Sequence, residues 1–399
     1  MKNIGRVIFM LSLVLGLALP LSVSAAEKTK ITIGASMSTT GKFSTNGMDS
    51  FRGTELWVDE AKAKGGIFVK DMGKKLPIEF IFYDDKSDAS TCAKMYERLI
   101  TVDKVDLLLP PWGSGPSFSV TAVTEKHKYP TILGSAGSEK LFERGFNYIF
   151  ETAILTKTNA DIPVDFFATR KEEFKKVVVV YENFLFTISL KDFTEKRMKE
   201  HGLDIALLEM YSPGATDFSS ILVKAKAINP DALILLNLMP ASIYFTRQMN
   251  EIGLKPKFYL VNIGPNFRKE FIEGLGELSE NVMENSMWHW DLPYKGAKEV
   301  AANYEKKYGR MPNSDAIHPY MAGQILQQAV EKAGTLDREK ITKILHSETF
   351  ETVGGQVKYD KTGVNIHQKG AIAQVQDGKR VLVYPNELAN AKMRLPYRK

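Results

Sequence analysis

Residues 217–238, DFSSILVKAKAINPDALILLNL, decide the fold. Their first half carries one apolar stripe with helical spacing: Phe218, Ile221, Leu222 and Ala225. Asn229-Pro230 then ends the helix, and the second half is an apolar run without the alternation of a half-solvated strand. Strands this apolar lie inside parallel sheets that helices cover on both faces. The stretch therefore predicts one helix–strand unit of an α/β protein.

The same alternation extends in both directions from this unit. Further strands of its series are predicted at 176–182, 205–211 and 257–261, with helices at 189–202 and 241–253. An earlier series has strands at 30–38, 77–85, 105–112 and 130–136, separated by helices at 50–66, 90–100 and 117–128. Helices between strands make right-handed crossovers in a parallel sheet. The sequence thus predicts an α/β fold with two doubly wound parallel-sheet lobes.

The pattern changes after Asn281. Two helices are predicted around 297–309 and 317–334, and alternating apolar runs follow on both sides of Asp377-Gly378. This dipeptide is a strong signal for a two-residue hairpin turn. Helices followed by an antiparallel pair indicate that the chain crosses between the lobes more than once.

The N-terminus has the layout of a secretory signal peptide. Lys2 and Arg6 precede an apolar run at 7–19, and small residues occupy 23–26. The apolar run is shorter than the roughly 20 residues that a membrane-spanning helix needs. We expect residues 1–26 to be removed on export, which leaves a monomer in the periplasm without direct membrane insertion.

Charge and cysteine content exclude some classes of protein. The chain has 53 Lys and Arg against 47 Asp and Glu, in runs of mixed sign that are typical of solvated helix faces. This balance argues against nucleic-acid binding. Cys92 is the only cysteine, so no intramolecular disulfide can form. Its helical spacing with Tyr96 and Leu99 predicts a thiol packed in a core.

Enzyme motifs are mostly absent from the sequence. It contains no phosphate-binding G-x-x-x-x-G-K, no G-x-G-x-x-G and no H-E-x-x-H, and its six histidines lack metal-ligand spacing. Ser114 lies between two glycines, but Trp112 occupies a position where a nucleophile elbow requires glycine. A secreted hydrolase using Ser114, with His127 as the nearest base, is a remote alternative because the two are predicted at opposite ends of one helix. We expect no catalysis, no cofactor and no metal.

Three glycine- and serine-rich loops are candidates for ligand binding: 38–47, 110–117 and 134–139. Each follows a predicted strand, and ligands of parallel sheets bind beyond the carboxyl ends of strands. Small residues let an anion approach backbone N–H groups at a helix N-terminus, so these loops suit a carboxylate. The alternative is that glycine and serine only form tight turns and caps. The aromatic segment 288–294 either lines a cleft mouth, with Trp290 as its candidate residue, or packs at a hinge.

Several segments, in order along the chain, resemble the periplasmic leucine/isoleucine/valine-binding proteins, the type I solute receptors of bacterial ABC importers. They include ITIGASMSTTGKF (31–43), IEFIFYDDKSD (78–88), PPWGSG (110–115), YPTILGSAGSEKL (129–141) and VVVVYEN (177–183). The resemblance implies two lobes that close around one solute, joined by a three-strand hinge with crossings near Glu151, Ser286 and Gly354. It assigns 27–150 and 287–354 to the first lobe, and 151–286 and 355–399 to the second.

The resemblance also implies binding residues in the first lobe. The family's carboxylate-binding serine aligns with Ser114, and its carboxylate-binding loop aligns with Ser135, Ala136, Gly137 and Ser138. Gly137 stands where the family has threonine. The position in the first-strand loop that is often tyrosine aligns with Asn46.

The second lobe departs from the family pattern. Phe186 and Leu238 stand where the family has phenolic residues, and Asn262 stands where an acid would pair with a ligand ammonium. Burying an ammonium without an opposing charge costs several kcal/mol. The sequence therefore predicts a small carboxylate with a hydrophobic or aromatic body, delivered to an inner-membrane ABC permease. Glu182 or Asp291 could supply the missing charge, so a true leucine/isoleucine/valine binder stays an alternative.

Overall fold

The computed structural model describes residues 28–262 and 269–398. The predicted signal peptide at 1–26 lies outside the described residues. Within those two ranges, no helix combines the length and the apolar character needed to cross a membrane.

The first half of the chain alternates strands and helices as predicted. Its strands are β1 (Ile31–Met37), β2 (Ile67–Val69), β3 (Lys74–Leu76), β4 (Ile78–Asp84), β5 (Leu107–Leu108), β6 (Thr131–Leu133) and β7 (Ile149–Glu151). Its helices are α1 (Ser44–Ala63), α2 (Ala89–Thr101) and α3 (Ser114–Lys126).

The second half continues the alternation and then adds the helices and hairpin of the tail. Its strands are β8 (Val177–Glu182), β9 (Ile205–Tyr211), β10 (Ala232–Leu236), β11 (Phe258–Val261), β12 (Met283–Ser286), β13 (Thr349–Thr352), β14 (Gly355–Lys358), β15 (Ala371–Gln376) and β16 (Lys379–Tyr384). Its helices are α4 (Thr156–Ala168), α5 (Leu185–Glu200), α6 (Ser219–Ile228), α7 (Met239–Glu251), α8 (Lys269–Leu275), α9 (Ala297–Tyr308), α10 (Ser314–Ala333) and α11 (Arg338–Ser347).

The first lobe is built around β1, which pairs in parallel with β4 and β5. Helices α1 and α10 cover one side of this sheet, and Trp57 of α1 lies against Gly323 of α10, where a side chain would collide with the indole. Helix α2 covers the other side and buries Cys92 completely. The predicted packing role of this thiol is confirmed.

The second lobe is a seven-stranded sheet in the order β16-β15-β12-β11-β10-β8-β9. The strands from β12 to β9 are parallel, and β15 and β16 are antiparallel. Asp377 and Gly378 join β15 to β16 with positive φ angles of 53° and 69°. The predicted hairpin is confirmed.

The third passage between lobes lies later than predicted. Strand β14 pairs with β13, and Val357 and Tyr359 pack in the first-lobe core rather than in the second lobe. Val364 then forms a parallel bridge to Glu151, whose N–H donates to the carbonyl of Gly363 over 2.9 Å. The first and third passages therefore run side by side, and the third follows Tyr359 instead of lying near Gly354.

Candidate ligand-binding site

The carboxyl ends of both sheets face a cleft between the lobes. The residues that line it come from both lobes. The first lobe contributes the loops after β5 and β6 and the start of α10, and the second lobe contributes the starts of α5 and α7.

The first-lobe wall carries the polar groups suited to an anion. Ser114 opens α3 behind Gly113, whose φ of 87° suits glycine. The first-turn N–H groups of a helix lack partners within it, and their positive end attracts anions. Gly113 donates its N–H to the carbonyl of Ser135 over 3.1 Å, which ties the two loops together. The Ser114 hydroxyl accepts from the N–H of Ser138 at 3.3 Å.

The opposite wall is apolar. Phe184, Leu185 and Phe186 enter the cleft from the start of α5, and Leu238 enters from the residue before α7. On the first-lobe side, the rings of Phe43 and Trp112 lie 5.4 Å apart and extend the apolar surface. A solute in this cleft would meet aromatic side chains from both lobes.

Gly137 is matched to Phe186 across the cleft. A Cβ atom at position 137 would lie 2.8 Å from the Phe186 ring and 2.8 Å from the carbonyl oxygen of Ile154. Both distances are shorter than real Cβ contacts, so the threonine of the family could not fit beside this phenylalanine. The two departures from the family pattern are therefore structurally coupled.

Sequence reasoning missed one acid in the cleft wall. Asp315 lies in the first turn of α10 and is 6% exposed. It accepts hydrogen bonds from the indole N–H of Trp112 at 3.1 Å and from the amide of Asn46 at 2.7 Å. Its neighbour His318 also lines the cleft, and burial lowers its pKa to about 4.

The structure places half of the predicted site residues around the cleft. Those that line it are Ser114, Ser135, Gly137, Phe186 and Leu238. These residues come from four loops or helix starts, and the carboxyl-edge rule for parallel sheets explains why they meet.

The other predicted site residues do not line the cleft. Asn46 lies behind it and binds Asp315, and Ala136 is fully buried. Ser138 is also fully buried and is hydrogen-bonded to Ser189. Trp290 stacks on His289 with ring centroids 4.2 Å apart, as in the hinge-packing alternative.

The second lobe supplies no acid to the cleft wall within the described residues. Asn262 is 1% exposed and donates its amide to Asn159 at 3.0 Å. Glu182 accepts from the N–H of Leu238 at 2.9 Å and is buried behind it, and this burial raises its pKa. Asp291 accepts from the amide of Asn390 at 3.2 Å. The two replacement charges suggested by the sequence are therefore engaged elsewhere.

A row of buried polar residues runs along the carboxyl edge of the second sheet. Five adjacent strands each have one of them at, or within one residue of, the carboxyl end: Tyr211, Glu182, Asn237, Asn262 and Asn285. None of the five lines the cleft, which Leu238 and Phe186 border instead. The polar row therefore leaves the second-lobe wall apolar.

The two residues considered for hydrolysis are far apart. Ser114 is the first residue of α3, and His127 caps the other end of that helix. At 1.5 Å per residue this separates them by about 20 Å. His127 is instead hydrogen-bonded to Glu97 at 2.9 Å.

Two α/β lobes with a cleft between their strand ends, polar on one wall and apolar on the other, are the arrangement of a solute-binding receptor. The sequence profile of the periplasmic binding protein family matches residues 30–380. The chain belongs to that family.

Named proteins are similar to this chain in sequence or in fold. The chain is 25% identical over 404 residues to the Leu/Ile/Val-binding protein homolog 7 of Brucella melitensis, covering 96% of this chain and 98% of the relative. The branched-chain amino acid transporter substrate binding protein LivJ from Streptococcus pneumoniae, in complex with isoleucine, superposes with a TM-score of 0.78 at 24% identity, covering 89% and 100%. An ABC transporter solute binding protein from R. palustris, in complex with benzoate, has a TM-score of 0.77 at 18% identity, covering 91% and 99%.

Proposed function

We propose that this receptor captures a small carboxylate with a hydrophobic or aromatic body in the periplasm and delivers it to an inner-membrane ABC permease. The observation that carries the proposal is the contrast between the two cleft walls. The start of α3 and the Ser114 hydroxyl suit a carboxylate, whereas Phe184, Phe186 and Leu238 suit an apolar body. The permease supplies the ATP chemistry.

The carboxylate half of the proposal depends on the first-lobe loops. A negative group at a helix N-terminus gains about 0.3–1 kcal/mol from the helix dipole alone. Ser114 adds a hydroxyl donor, and it is 3% exposed, so water competes weakly for it. Charge-assisted hydrogen bonds in such a site are roughly twice as strong as neutral ones.

The other half of the proposal, a hydrophobic or aromatic body in the solute, depends on the apolar second-lobe wall. A zwitterionic amino acid would bury its ammonium group, and the second lobe offers no acid to pair with it among the described cleft residues. The solved relatives bind both kinds of solute within one fold, one holding benzoate and the other isoleucine. The wall composition favours the benzoate-like class for this chain.

A branched-chain amino acid is the second candidate, and Asp315 favours it. This carboxylate lies in the first-lobe wall beside Trp112, where it would attract a ligand ammonium. The name of the Brucella relative points in the same direction. The presence or absence of an ammonium group in the bound solute therefore distinguishes the two candidates.

Binding is coupled to lobe movement in this proposal. The solute first meets the Ser114 loop, and the second lobe then closes and excludes water. A solute can shift the equilibrium between open and closed forms only through contacts that differ between them. Phe186 and Leu238 supply such contacts because they lie on the moving lobe.

A thermal-shift screen of the mature protein tests the solute class. The panel contains benzoate, L-leucine, L-isoleucine, short dicarboxylates and amides, since a ligand that binds only the folded state raises the melting temperature. We expect benzoate-type acids to stabilise the protein. Stabilisation by leucine with no effect of benzoate would establish the amino-acid candidate instead.

Substitution Ser114→Ala tests the carboxylate site itself. We expect the variant to bind the stabilising acid more weakly by roughly 1–3 kcal/mol in calorimetry, because one hydrogen bond to a charged group is lost. Ser117→Ala is the matched control, since Ser117 is buried in the same helix but does not line the cleft. An unchanged affinity in Ser114→Ala would remove Ser114 from the site.

A further inference from the structure

A buried hydrogen bond joins the two lobes beside the carboxylate site. The hydroxyl groups of Ser138 and Ser189 lie 2.7 Å apart. Ser138 belongs to the first-lobe loop after β6, and Ser189 belongs to α5 of the second lobe. Ser138 is fully buried and Ser189 is 3% exposed, so water does not replace this contact while the lobes are together.

The same loop residue reaches the carboxylate-binding hydroxyl. The N–H of Ser138 donates to the oxygen of Ser114 at 3.3 Å. A serine hydroxyl has one proton and two acceptor lone pairs. Because Ser138 occupies an acceptor direction of Ser114, the Ser114 proton points elsewhere and is available to a carboxylate in the cleft.

Helix α5 contacts this loop at two points one turn apart. Phe186 lies against Gly137, and Ser189 binds Ser138. Residues three apart share a face of a helix, so both contacts form together when α5 approaches. The position of Ser138 is therefore determined by the second lobe as well as by its own lobe.

We propose that Ser189 is a positioning residue for the carboxylate site, although it does not line the cleft. When the lobes close, Ser189 fixes Ser138, and Ser138 orients the Ser114 hydroxyl as a donor toward the bound carboxylate. This inference rests on the proposed function, because it requires a carboxylate at Ser114. Lobe closure would therefore make the Ser114 hydroxyl a better hydrogen-bond donor to the carboxylate.

The coupling is reciprocal. If closure improves Ser114 as a donor, a carboxylate bound to Ser114 must favour closure by the same free energy. An uncharged isostere, which cannot accept a charge-assisted bond, would lose this contribution. The hydrogen bonds from Ser189 through Ser138 to Ser114 thus make lobe closure selective for an anionic solute.

Acetate is the probe, because it is the smallest carboxylate and does not depend on the identity of the natural solute. Amide signals of Gly115 and Gly137 are followed by NMR during a titration of the mature protein. We expect a saturable shift in the unmodified protein, and a dissociation constant raised about 3- to 10-fold in Ser189→Ala, the size of one hydrogen bond. Ser189→Thr keeps the hydroxyl and should restore binding.

The control variant is Ser279→Ala. Ser279 is a buried serine of the second lobe that donates to the carbonyl of Gly276 at 2.7 Å, in the segment before β12, and it does not line the cleft. Its acetate affinity should equal that of the unmodified protein. If Ser189→Ala does not fold, Ser138→Ala removes the same contact from the other side.

A double-mutant cycle with Ser114→Ala separates positioning from a general loss of closure. Positioning predicts that Ser189→Ala has no further effect once Ser114 is alanine. An equal loss in both backgrounds, or unchanged binding in Ser189→Ala, overturns the inference and leaves the proposed function standing. Failure of both acetate and benzoate to bind the unmodified protein overturns both.

Discussion

Glu151 lies where the chain first leaves the first lobe, and its carboxyl group is fully buried. One oxygen accepts the N–H of Ala153 at 2.7 Å. The other oxygen has no hydrogen-bond partner among the described residues. Burial raises the pKa of Glu151 to about 8, so the group is mostly protonated at neutral pH.

This shifted pKa predicts a stability that falls as pH rises. The usual pKa of 4.5 applies in the unfolded chain, so between pH 5 and 8 only the unfolded state loses the proton. The free energy of unfolding should therefore drop by on the order of 3 kcal/mol across this window. Glu151→Gln should remove most of that slope in urea titrations at pH 5, 6.5 and 8. Glu277→Gln, at an exposed position, is the control, and a slope retained in Glu151→Gln would refute the assignment.

The sequence placed some site residues at the cleft and missed others. Ser114 and Gly137 lie in loops whose glycines and serines directly follow strands, and the carboxyl-edge rule places such loops at a cleft. Asp315 comes from a helix start about two hundred residues later. An acid there has the sequence signature of a helix cap, so only the packing of α10 against the first lobe reveals it.

An ion pair crosses the antiparallel edge of the second sheet. Arg380 of β16 pairs with Glu284 of β12, with strand β15 between them, and both side chains are at most 3% exposed. Arg380 also donates to the Ser286 hydroxyl at 2.8 Å and to the Trp288 carbonyl at 3.0 Å. Burial and the nearby guanidinium lower the pKa of His289 to about 3. The β15–β16 hairpin is thus held to β12 by an ion pair as well as by backbone hydrogen bonds.

Removing one member of this pair should destabilise the protein. Arg380→Met leaves the Glu284 carboxylate buried without the guanidinium, at a cost of about 3–5 kcal/mol. The double variant Arg380→Met with Glu284→Gln should recover a large part of the loss, because no buried charge remains. Urea denaturation measures both. A loss below about 1 kcal/mol in the single variant would show that the pair contributes little.

The strands and helices that sequence predicted are those with a strong periodic pattern. The apolar strands β8, β10 and β11 and the hairpin at Asp377-Gly378 are examples. The short strands β2, β3 and β7 were not predicted, because a strand of three residues shows too little periodicity. The third passage between lobes was misplaced because β14 is fixed by pairing with β13 and by the first-lobe core.

At the scale of the whole molecule, an ion pair spans the two lobes away from the hinge. Arg310 follows α9 of the first lobe and contacts both carboxylate oxygens of Glu270 in α8 of the second lobe, at 2.9 and 3.0 Å. A bidentate pair of this kind has a fixed geometry. It can form only when the lobes are together, so it favours the closed form.

Charge reversal tests this contribution. Arg310→Glu places two carboxylates face to face, and we expect a larger radius of gyration in small-angle scattering because the open form becomes more populated. Adding Glu270→Arg should restore the compact value. Molar salt screens exposed charges, so it should bring the unmodified protein toward the variant. Identical scattering of all three proteins at low salt would contradict a role in closure.

The complete burial of Cys92 has a practical consequence. Its thiol is the only one in the sequence, and burial raises its pKa well above the usual 9, so it resists alkylating reagents. A cysteine introduced at exposed Lys42, beside the cleft residue Phe43, would then be the sole reactive thiol. A fluorophore attached there would report cargo capture by a change in emission, which turns the receptor into an optical biosensor.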